Sequence, residues 1–366
     1  MANSALAERI ASRIKASGPA ALDAYWREAM TAPGAGYYMK GQPIGAEGDF
    51  TTGPEVSQIF GELVGLWLVE AWTQAGKPAP FTLMELGPGR GQLMADILRA
   101  ARLAPGFLEA AEIVFIEASD SLRATAAQRI GNVSATWHSS WEEAFSKLAD
   151  IPLFLIANEF FDALPIRQFQ QSAEGWRERL VGLTDAGDFA FLLGPLTVLP
   201  KDVVMDGIAE APADIILEYA PERARLAAAI GKRLSAMDGA ALLIDYGHSK
   251  GRLGNSLQAL KAGKSADPLR DPGEADITSH VDFERIKQVT EITGCRCWGP
   301  VDQGTFLLRL GAEARATALV KNASAKENMD IQRSLRRLVH PLEMGAIFKA
   351  VAILPAVYFA PAGFEE

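Results

Sequence analysis

Short apolar runs alternate with amphipathic stretches along most of the chain. The apolar runs are 81–84, 113–116, 153–157 and 240–246, and the amphipathic stretches include 121–130 and 221–237. Strands that alternate with helices predict a parallel sheet with helices packed on its faces. Apolar residues spaced by three and four from Val56 to Trp72 predict another helix, with Pro54 in its first turn. The predicted fold class is therefore α/β, with a Rossmann-like sheet.

The turn after the first apolar run carries the strongest chemical signal. The segment reads FTLMELGPGRGQL, in which Glu85 is followed by Gly87, Gly89 and Gly91. Glycines adopt positive φ and let backbone approach a ligand closely. A dinucleotide-binding GxGxxG is the rival interpretation, but Gln92 occupies the position of its third glycine. The carboxylate of Glu85 would also repel a pyrophosphate.

A ligand with an amino group and a carboxylate suits this turn better. Glu85 can lie near an ammonium, while the helix predicted to begin near Gln92 offers free N–H groups to a carboxylate. S-adenosylmethionine carries both groups. Glu117 ends the second apolar run, where an acid can accept hydrogen bonds from ribose hydroxyls. An exposed glutamate at a strand end is the alternative for Glu117.

The segment NEFFDALP directly follows the run 153–157. Ligands of open parallel sheets bind beyond the carboxyl ends of the strands, so Asn158, Glu159 and Asp162 are expected to face the methyl donor. Asn158 is a candidate cofactor ligand. Glu159 and Asp162 are candidate catalytic residues, because two carboxylates can hold a guanidinium by charge-assisted hydrogen bonds. Asp162 as a helix cap is the alternative.

A polar turn precedes the helix that contains Pro54. It reads Asp49-Phe50-Thr51-Thr52, and it is either a helix cap or part of a lid over the cofactor. Helix capping explains Thr52 but does not explain Asp49 and Phe50.

Several long segments together resemble the MidA family of class I S-adenosylmethionine-dependent methyltransferases. They are GDFTTGPEVSQIFGELVG, ELGPGRG, NEFFDALP, LIDYGH, PGEADITSHVDF and GPVDQGTFLLRLG. The resemblance favours the lid, with Asp49 as a catalytic residue and Phe50 and Thr51 as cofactor ligands. It implies a protein arginine methyltransferase that acts on a subunit of respiratory complex I (NADH dehydrogenase) during assembly. An assembly chaperone without turnover and a small-molecule methyltransferase are the alternatives.

Composition and charge narrow the range of partners. The net charge of -9 argues against nonspecific nucleic-acid binding and suits a basic protein segment. No secretory or membrane-spanning stretch is expected, since the longest apolar stretch, 350–360, is short and contains a proline. Cys295 and Cys297 lack the second pair that a structural zinc needs, so no metal is expected. The expected location is the bacterial cytoplasm, with mitochondrial eukaryotic relatives, and homodimer formation is left open.

The chain is expected to divide into an N-terminal helical cap or lid, 1–78, and a methyltransferase domain, 79–366. Aromatic and turn residues predict an antiparallel insertion at about 166–220, and helices are expected at the C-terminus. The polar stretch 250–276 is expected to form a poorly ordered flap. Asp282 is expected to cap a helix, while His248 and His280 have either structural or acid–base roles.

Overall fold

The computed structural model describes residues 5–40, 52–203, 208, 210–321 and 323–365. Its α-helices are α1 (Ala5–Ser17), α2 (Leu22–Thr31), α3 (Gly53–Val56), α4 (Gln58–Gln74), α5 (Gln92–Ala101), α6 (Phe107–Ala110), α7 (Asp120–Ile130), α8 (Trp141–Lys147), α9 (Pro221–Met237), α10 (Phe283–Glu291), α11 (Gln303–Arg309), α12 (Ala312–Val320) and α13 (Ala325–Val339). Its strands are β1 (Ala20–Ala21), β2 (Phe81–Leu86), β3 (Ala111–Ile116), β4 (Ala135–His138), β5 (Leu153–Asn158), β6 (Arg167–Ser172), β7 (Gly175–Leu183), β8 (Phe189–Leu196), β9 (Ile216–Tyr219), β10 (Gly239–His248), β11 (Gln258–Lys261), β12 (Lys264–Ala266), β13 (Asp276–Thr278), β14 (Val281–Asp282), β15 (Cys295–Asp302) and β16 (Phe348–Pro355).

The main sheet has the strand order β15-β16-β10-β5-β2-β3-β4. Strands β10, β5, β2, β3 and β4 are parallel, and β16 and β15 add antiparallel strands at one edge. Every residue of β2 and β5 is buried, as expected for central strands covered on both faces. The α/β fold class predicted from the apolar runs is confirmed.

Helices cover both faces of this sheet. Phe60 and Trp67 of α4 pack on one face together with α5 and the C-terminal helices, while Leu226 and Ile230 of α9 pack on the other with α10. The chain leaves β2 toward β3 and β4 on one side and returns through β5 on the other. Such a reversal opens a crevice at the carboxyl ends of β2 and β5, where ligands of open α/β sheets bind.

A second sheet is antiparallel, as predicted for the insertion. Strand β7 pairs with β6 and β8, and β6 also pairs with β9. The N-terminal strand β1 pairs with β7 as well, and Trp26 of α2 packs in one apolar cluster with Val181 of β7. The N-terminal segment thus packs on the insertion, whereas α4 shares the core of the main sheet. The domain boundary at residue 78 stays a prediction.

Two local predictions are wrong. Strands β11 and β12 pair as an antiparallel hairpin within the predicted flap, and β13, which begins at the end of the flap, pairs with β11. The helix predicted from Pro54 onward is two helices, because Ser57 has an extended backbone (φ −159°) that ends α3. The Ser57 hydroxyl then accepts a hydrogen bond from the Ile59 N–H at 3.2 Å and caps α4.

The C-terminal apolar stretch and the two cysteines belong to the main sheet. Residues 350–354 are buried in β16, and Cys295 and Cys297 are buried in β15. None of the described helices is long and apolar enough to cross a membrane.

Candidate functional site

A cavity of about 370 Å³ lies at the carboxyl ends of β2, β3 and β5. Its walls come from the turn between β2 and α5, the ends of β3 and β5, the residues after β4, and parts of α2, α3 and α9. The volume lies within the range of about 300–1,000 Å³ that is typical of small-molecule sites. The cavity therefore occupies the crevice that the strand order creates.

The glycine turn forms one wall of the cavity. Gly87, Gly89 and Gly91 all have positive φ, at 64°, 52° and 78°. A Cβ at Gly87 would lie 2.8 Å from the Phe160 ring, and one at Gly91 would lie 2.9 Å from the Ala126 Cα. Glycine is thus required at both positions by conformation and by packing.

Glu85 lies at the end of β2 with only 2% of its surface exposed. Its Oε2 has no hydrogen-bond partner among the described residues. Burial, and then the nearby Glu117 carboxylate, raise the pKa of Glu85 to about 8. A cationic group in the cavity would stabilise the ionised form and supply the missing partner.

Arg90 and Glu117 line the cavity together with Glu85. The Arg90 Nε also lacks a hydrogen-bond partner among the described residues. Glu117 accepts a hydrogen bond from the Ser119 N–H at 2.9 Å, and burial raises the pKa of Glu117 to about 7. An unpaired carboxylate oxygen and an unpaired cationic N–H in one turn match a ligand end that carries both an ammonium and a carboxylate. These residues therefore fit the amino-acid part of S-adenosylmethionine.

Asn158 and Glu159 lie at the end of β5, the neighbour of β2, and both line the cavity. The Glu159 Oε1 accepts hydrogen bonds from the Gly53 N–H at 3.0 Å and the Asn158 Nδ2 at 3.3 Å. Glu159 has φ +51°, a left-handed backbone that is unusual for a residue with a Cβ. Burial raises the pKa of Glu159 to about 7.

Asp162 does not line the cavity. It is buried near Arg223, and its Oδ1 lacks a hydrogen-bond partner among the described residues. Burial raises its pKa. The two candidate acids thus lie in one loop but in different surroundings, and the catalytic role of each stays a prediction.

The candidate lid residues Asp49, Phe50 and Thr51 lie outside the described residues. Their neighbours Thr52 and Pro54 do line the cavity. The Thr52 side chain makes no capping hydrogen bond to α3, so the capping alternative is not supported at that residue.

His248 and His280 line a second cavity, of about 470 Å³, between α9 and α10. The His248 Nδ1 lies 2.7 Å from the Lys250 carbonyl oxygen, and the His280 Nδ1 lies 3.1 Å from the Arg252 Nη2. Burial lowers the pKa of His280. Asp282 caps α10 as predicted, by accepting a hydrogen bond from the Arg285 N–H.

Several cavity residues were not among the candidate site residues named from the sequence. Trp26 and Arg27 of α2, Trp141 of α8 and Glu222 of α9 all line the cavity. Arg27 and Glu222 form an ion pair of 2.7 Å. The indole N–H groups of Trp26 and Trp141 have no hydrogen-bond partner among the described residues. Nothing in their local sequence marks them, because only the tertiary fold brings them to the strand ends.

The chain is similar in sequence to known methyltransferases. Residues 63–301 match a family model described as S-adenosyl-L-methionine-dependent methyltransferase. The "Protein arginine methyltransferase NDUFAF7 homolog, mitochondrial" of Drosophila melanogaster is 36% identical, with 97% of this chain and 86% of that protein covered. Human "Protein arginine methyltransferase NDUFAF7, mitochondrial" is 32% identical over 94% of this chain and 82% of its own length.

A solved structure matches over almost the whole chain. It is the crystal structure of a Burkholderia thailandensis protein bound to S-adenosyl-homocysteine. The TM-score is 0.83 at 25% sequence identity, with 99% of this chain and 95% of that chain covered.

Proposed function

The chain belongs to the family of S-adenosyl-L-methionine-dependent methyltransferases that includes the NDUFAF7 proteins, and on this premise we propose that it methylates an arginine side chain of a protein. S-adenosyl-L-methionine is the cofactor of this family. The proposal of an arginine acceptor rests on the position of Glu159, whose carboxylate lies in the cavity wall at the end of β5. Both hydrogen bonds donated to it by Asn158 and Gly53 end on Oε1.

The glycine turn and its acids would hold the cofactor. Glu85 would pair with the ammonium, Arg90 with the carboxylate, and Glu117 with the ribose hydroxyls. Gly89, with its positive φ, would let the backbone come close to the ligand. When bound, S-adenosyl-L-methionine supplies a methyl group on a positively charged sulfur.

Glu159 would hold the acceptor guanidinium by a charge-assisted hydrogen bond and fix the direction of one nitrogen. The same carboxylate would accept the proton that this nitrogen loses. With a pKa of about 7, Glu159 is a base matched to neutral pH. Trp26 and Phe160 provide apolar wall surface that excludes water from the reacting groups.

The resemblance to the MidA family extends the proposal to the partner. We propose that the acceptor is a complex I subunit, methylated during assembly by a cytoplasmic enzyme. Asp162 and the lid residues Asp49, Phe50 and Thr51 keep their proposed roles around the acceptor and the cofactor.

Methyl transfer into a lysate tests this function. Tritiated S-adenosylmethionine and the purified protein are added to a lysate of a strain that lacks the protein, and the labelled product is identified. A labelled complex I subunit is expected. Label only in small metabolites would contradict the protein acceptor. A variant that transfers no methyl group yet restores complex I assembly in cells would point to a chaperone.

A further inference from the structure

The loop that carries Glu159 holds a strained backbone conformation. It spans 159–165, follows β5 directly and contains no helix. Glu159 has φ +51°, which disfavours any residue with a Cβ. Such conformations persist only where surrounding contacts fix them. The contacts of this loop therefore decide where the Glu159 carboxylate lies.

Arg223 of α9 makes three hydrogen bonds to this loop, and it is only 3% exposed. Its Nη2 donates to the Asp162 carbonyl at 2.8 Å and to the Leu164 carbonyl at 2.9 Å, and its Nε donates to Leu164 at 3.2 Å. The same guanidinium donates to the Ser279 hydroxyl at 2.7 Å and the His280 carbonyl at 2.8 Å. One buried side chain thus ties the end of the loop to the segment between β13 and β14.

Asp245 of β10 holds the middle of the loop. Its Oδ2 accepts from the Asp162 N–H at 3.1 Å, and its Oδ1 accepts from the Tyr246 N–H at 2.9 Å. The Glu159 N–H donates to the Ile244 carbonyl at 2.9 Å and fixes the start of the loop. Asp245 is 2% exposed, so water cannot replace these bonds easily.

We propose that Arg223 and Asp245 are positioning residues that clamp the loop and so set the Glu159 carboxylate against the acceptor. The inference rests on the proposed function, because it assigns Glu159 to the acceptor. Lysine cannot replace Arg223, since one ammonium cannot match the planar fork that reaches four backbone and side-chain oxygens. Asparagine at position 245 can accept from only one of the two backbone N–H groups.

The test compares Arg223→Lys with Arg233→Lys. Arg233 is on the same helix and donates to the carbonyl oxygens of Ala149 and Ile151, away from the cavity. Hydrogen exchange of the 159–164 amides is measured in the ligand-free protein. Exchange should speed up by about tenfold or more in Arg223→Lys and stay unchanged in Arg233→Lys. Asp245→Asn is the second variant, used if Arg223→Lys does not fold.

A double-mutant cycle with Glu159→Gln then links the clamp to catalysis. Tritium transfer into the lysate of the deletion strain is measured at several S-adenosylmethionine concentrations. Arg223→Lys should lower the saturating rate by about tenfold or more, with the apparent KM for S-adenosylmethionine within about twofold of wild type. In the Glu159→Gln background the further loss should stay below about twofold.

The outcomes separate the two proposals. An equal loss of transfer rate from Arg223→Lys in both backgrounds, or unchanged hydrogen exchange with unchanged transfer, would overturn the positioning role of Arg223 and Asp245. Neither result would affect the proposed role of Glu159. Full transfer by Glu159→Gln would overturn the proposed role of Glu159 and, with it, the positioning by Arg223.

Discussion

Glu85 is a carboxylate that the fold buries without a partner for its Oε2 among the described residues. Its pKa of about 8 in the folded protein compares with about 4.3 in an unfolded chain. The folded protein therefore binds more protons than the unfolded chain between these values. By linkage, the free energy of unfolding contributed by Glu85 falls as pH rises through this interval. At neutral pH the buried Glu85 therefore lowers the stability of the ligand-free protein, and a bound cationic group would offset this cost.

Glu85→Gln should remove this cost. The ligand-free variant is expected to be more stable than wild type by roughly 1–4 kcal/mol at pH 8, and by much less at pH 5. Urea denaturation at both pH values measures the difference. The exposed Glu112 on the adjacent β3 provides a control, Glu112→Gln. Equal responses of the two variants would contradict the unpaired carboxylate.

Glu159 should impose a pH dependence on transfer. Its pKa is raised to about 7, so the carboxylate form that holds the guanidinium accumulates as pH rises through that value. The saturating rate should therefore rise with pH up to about 7 and then level off. Glu159→Gln should lose this rise, while Glu142→Gln, a change of an exposed acid at the cavity wall, should keep it. The pH profile of initial rates tests this prediction. An unchanged profile in Glu159→Gln would contradict the role of Glu159 as the base.

At the scale of elements, the turn between β2 and α5 combines conformation with packing. Gly91 and Gly131 both have positive φ, but a Cβ at Gly91 meets the Ala126 backbone, whereas one at Gly131 meets nothing within 4 Å. Gly131→Ala is expected to cost about 1 kcal/mol from strain alone. Gly91→Ala should cost more and should abolish binding of S-adenosylmethionine in calorimetry. Intact binding by a folded Gly91→Ala protein would contradict the assigned turn.

The elements predicted well are those whose signal is local. The run ending at Glu85 became β2, and α5 begins at Gln92 as expected. Apolar spacing missed the break at Ser57, because the buried face continues through α3 and α4 while one extended residue redirects the chain. A short capping serine inside an apolar repeat is a weak signal beside that periodicity.

At the scale of the whole molecule, the cavity joins distant parts of the chain. Trp26 in α2 lines it because β1 pairs with β7 and α2 packs on the insertion, and Glu222 lines it from the start of α9, which packs on the main sheet. Glu85, Glu117 and Glu159 were found from sequence because each lies within two residues of the end of an apolar run. Asp162 shows the limit of this rule, because it lies four positions past β5 and is not part of the cavity lining.

Arg27 of α2 and Glu222 of α9 form an ion pair in the cavity wall. Arg27 is half exposed, so the pair should contribute no more than about 1 kcal/mol to stability. Arg27→Gln removes a cation from the cavity wall and frees an acid, and it should lower the apparent KM for an arginine acceptor, most strongly at low salt. Arg9→Gln, which breaks an exposed pair with Glu28, is the control. A raised KM in Arg27→Gln would contradict a cationic acceptor at this wall.

The most direct test of the account is to map the methylated atom while measuring cofactor binding on the same preparations. Wild type and Glu159→Gln are each incubated with labelled S-adenosylmethionine and lysate of the deletion strain, labelled residues are identified by mass spectrometry, and affinity is measured by calorimetry. Arginine methylation with Glu159 at the acceptor predicts methylarginine with wild type, and a loss of transfer of about 100-fold or more with Glu159→Gln at a cofactor affinity within about twofold of wild type. Label on another kind of side chain, or equal loss of binding and transfer, would contradict it.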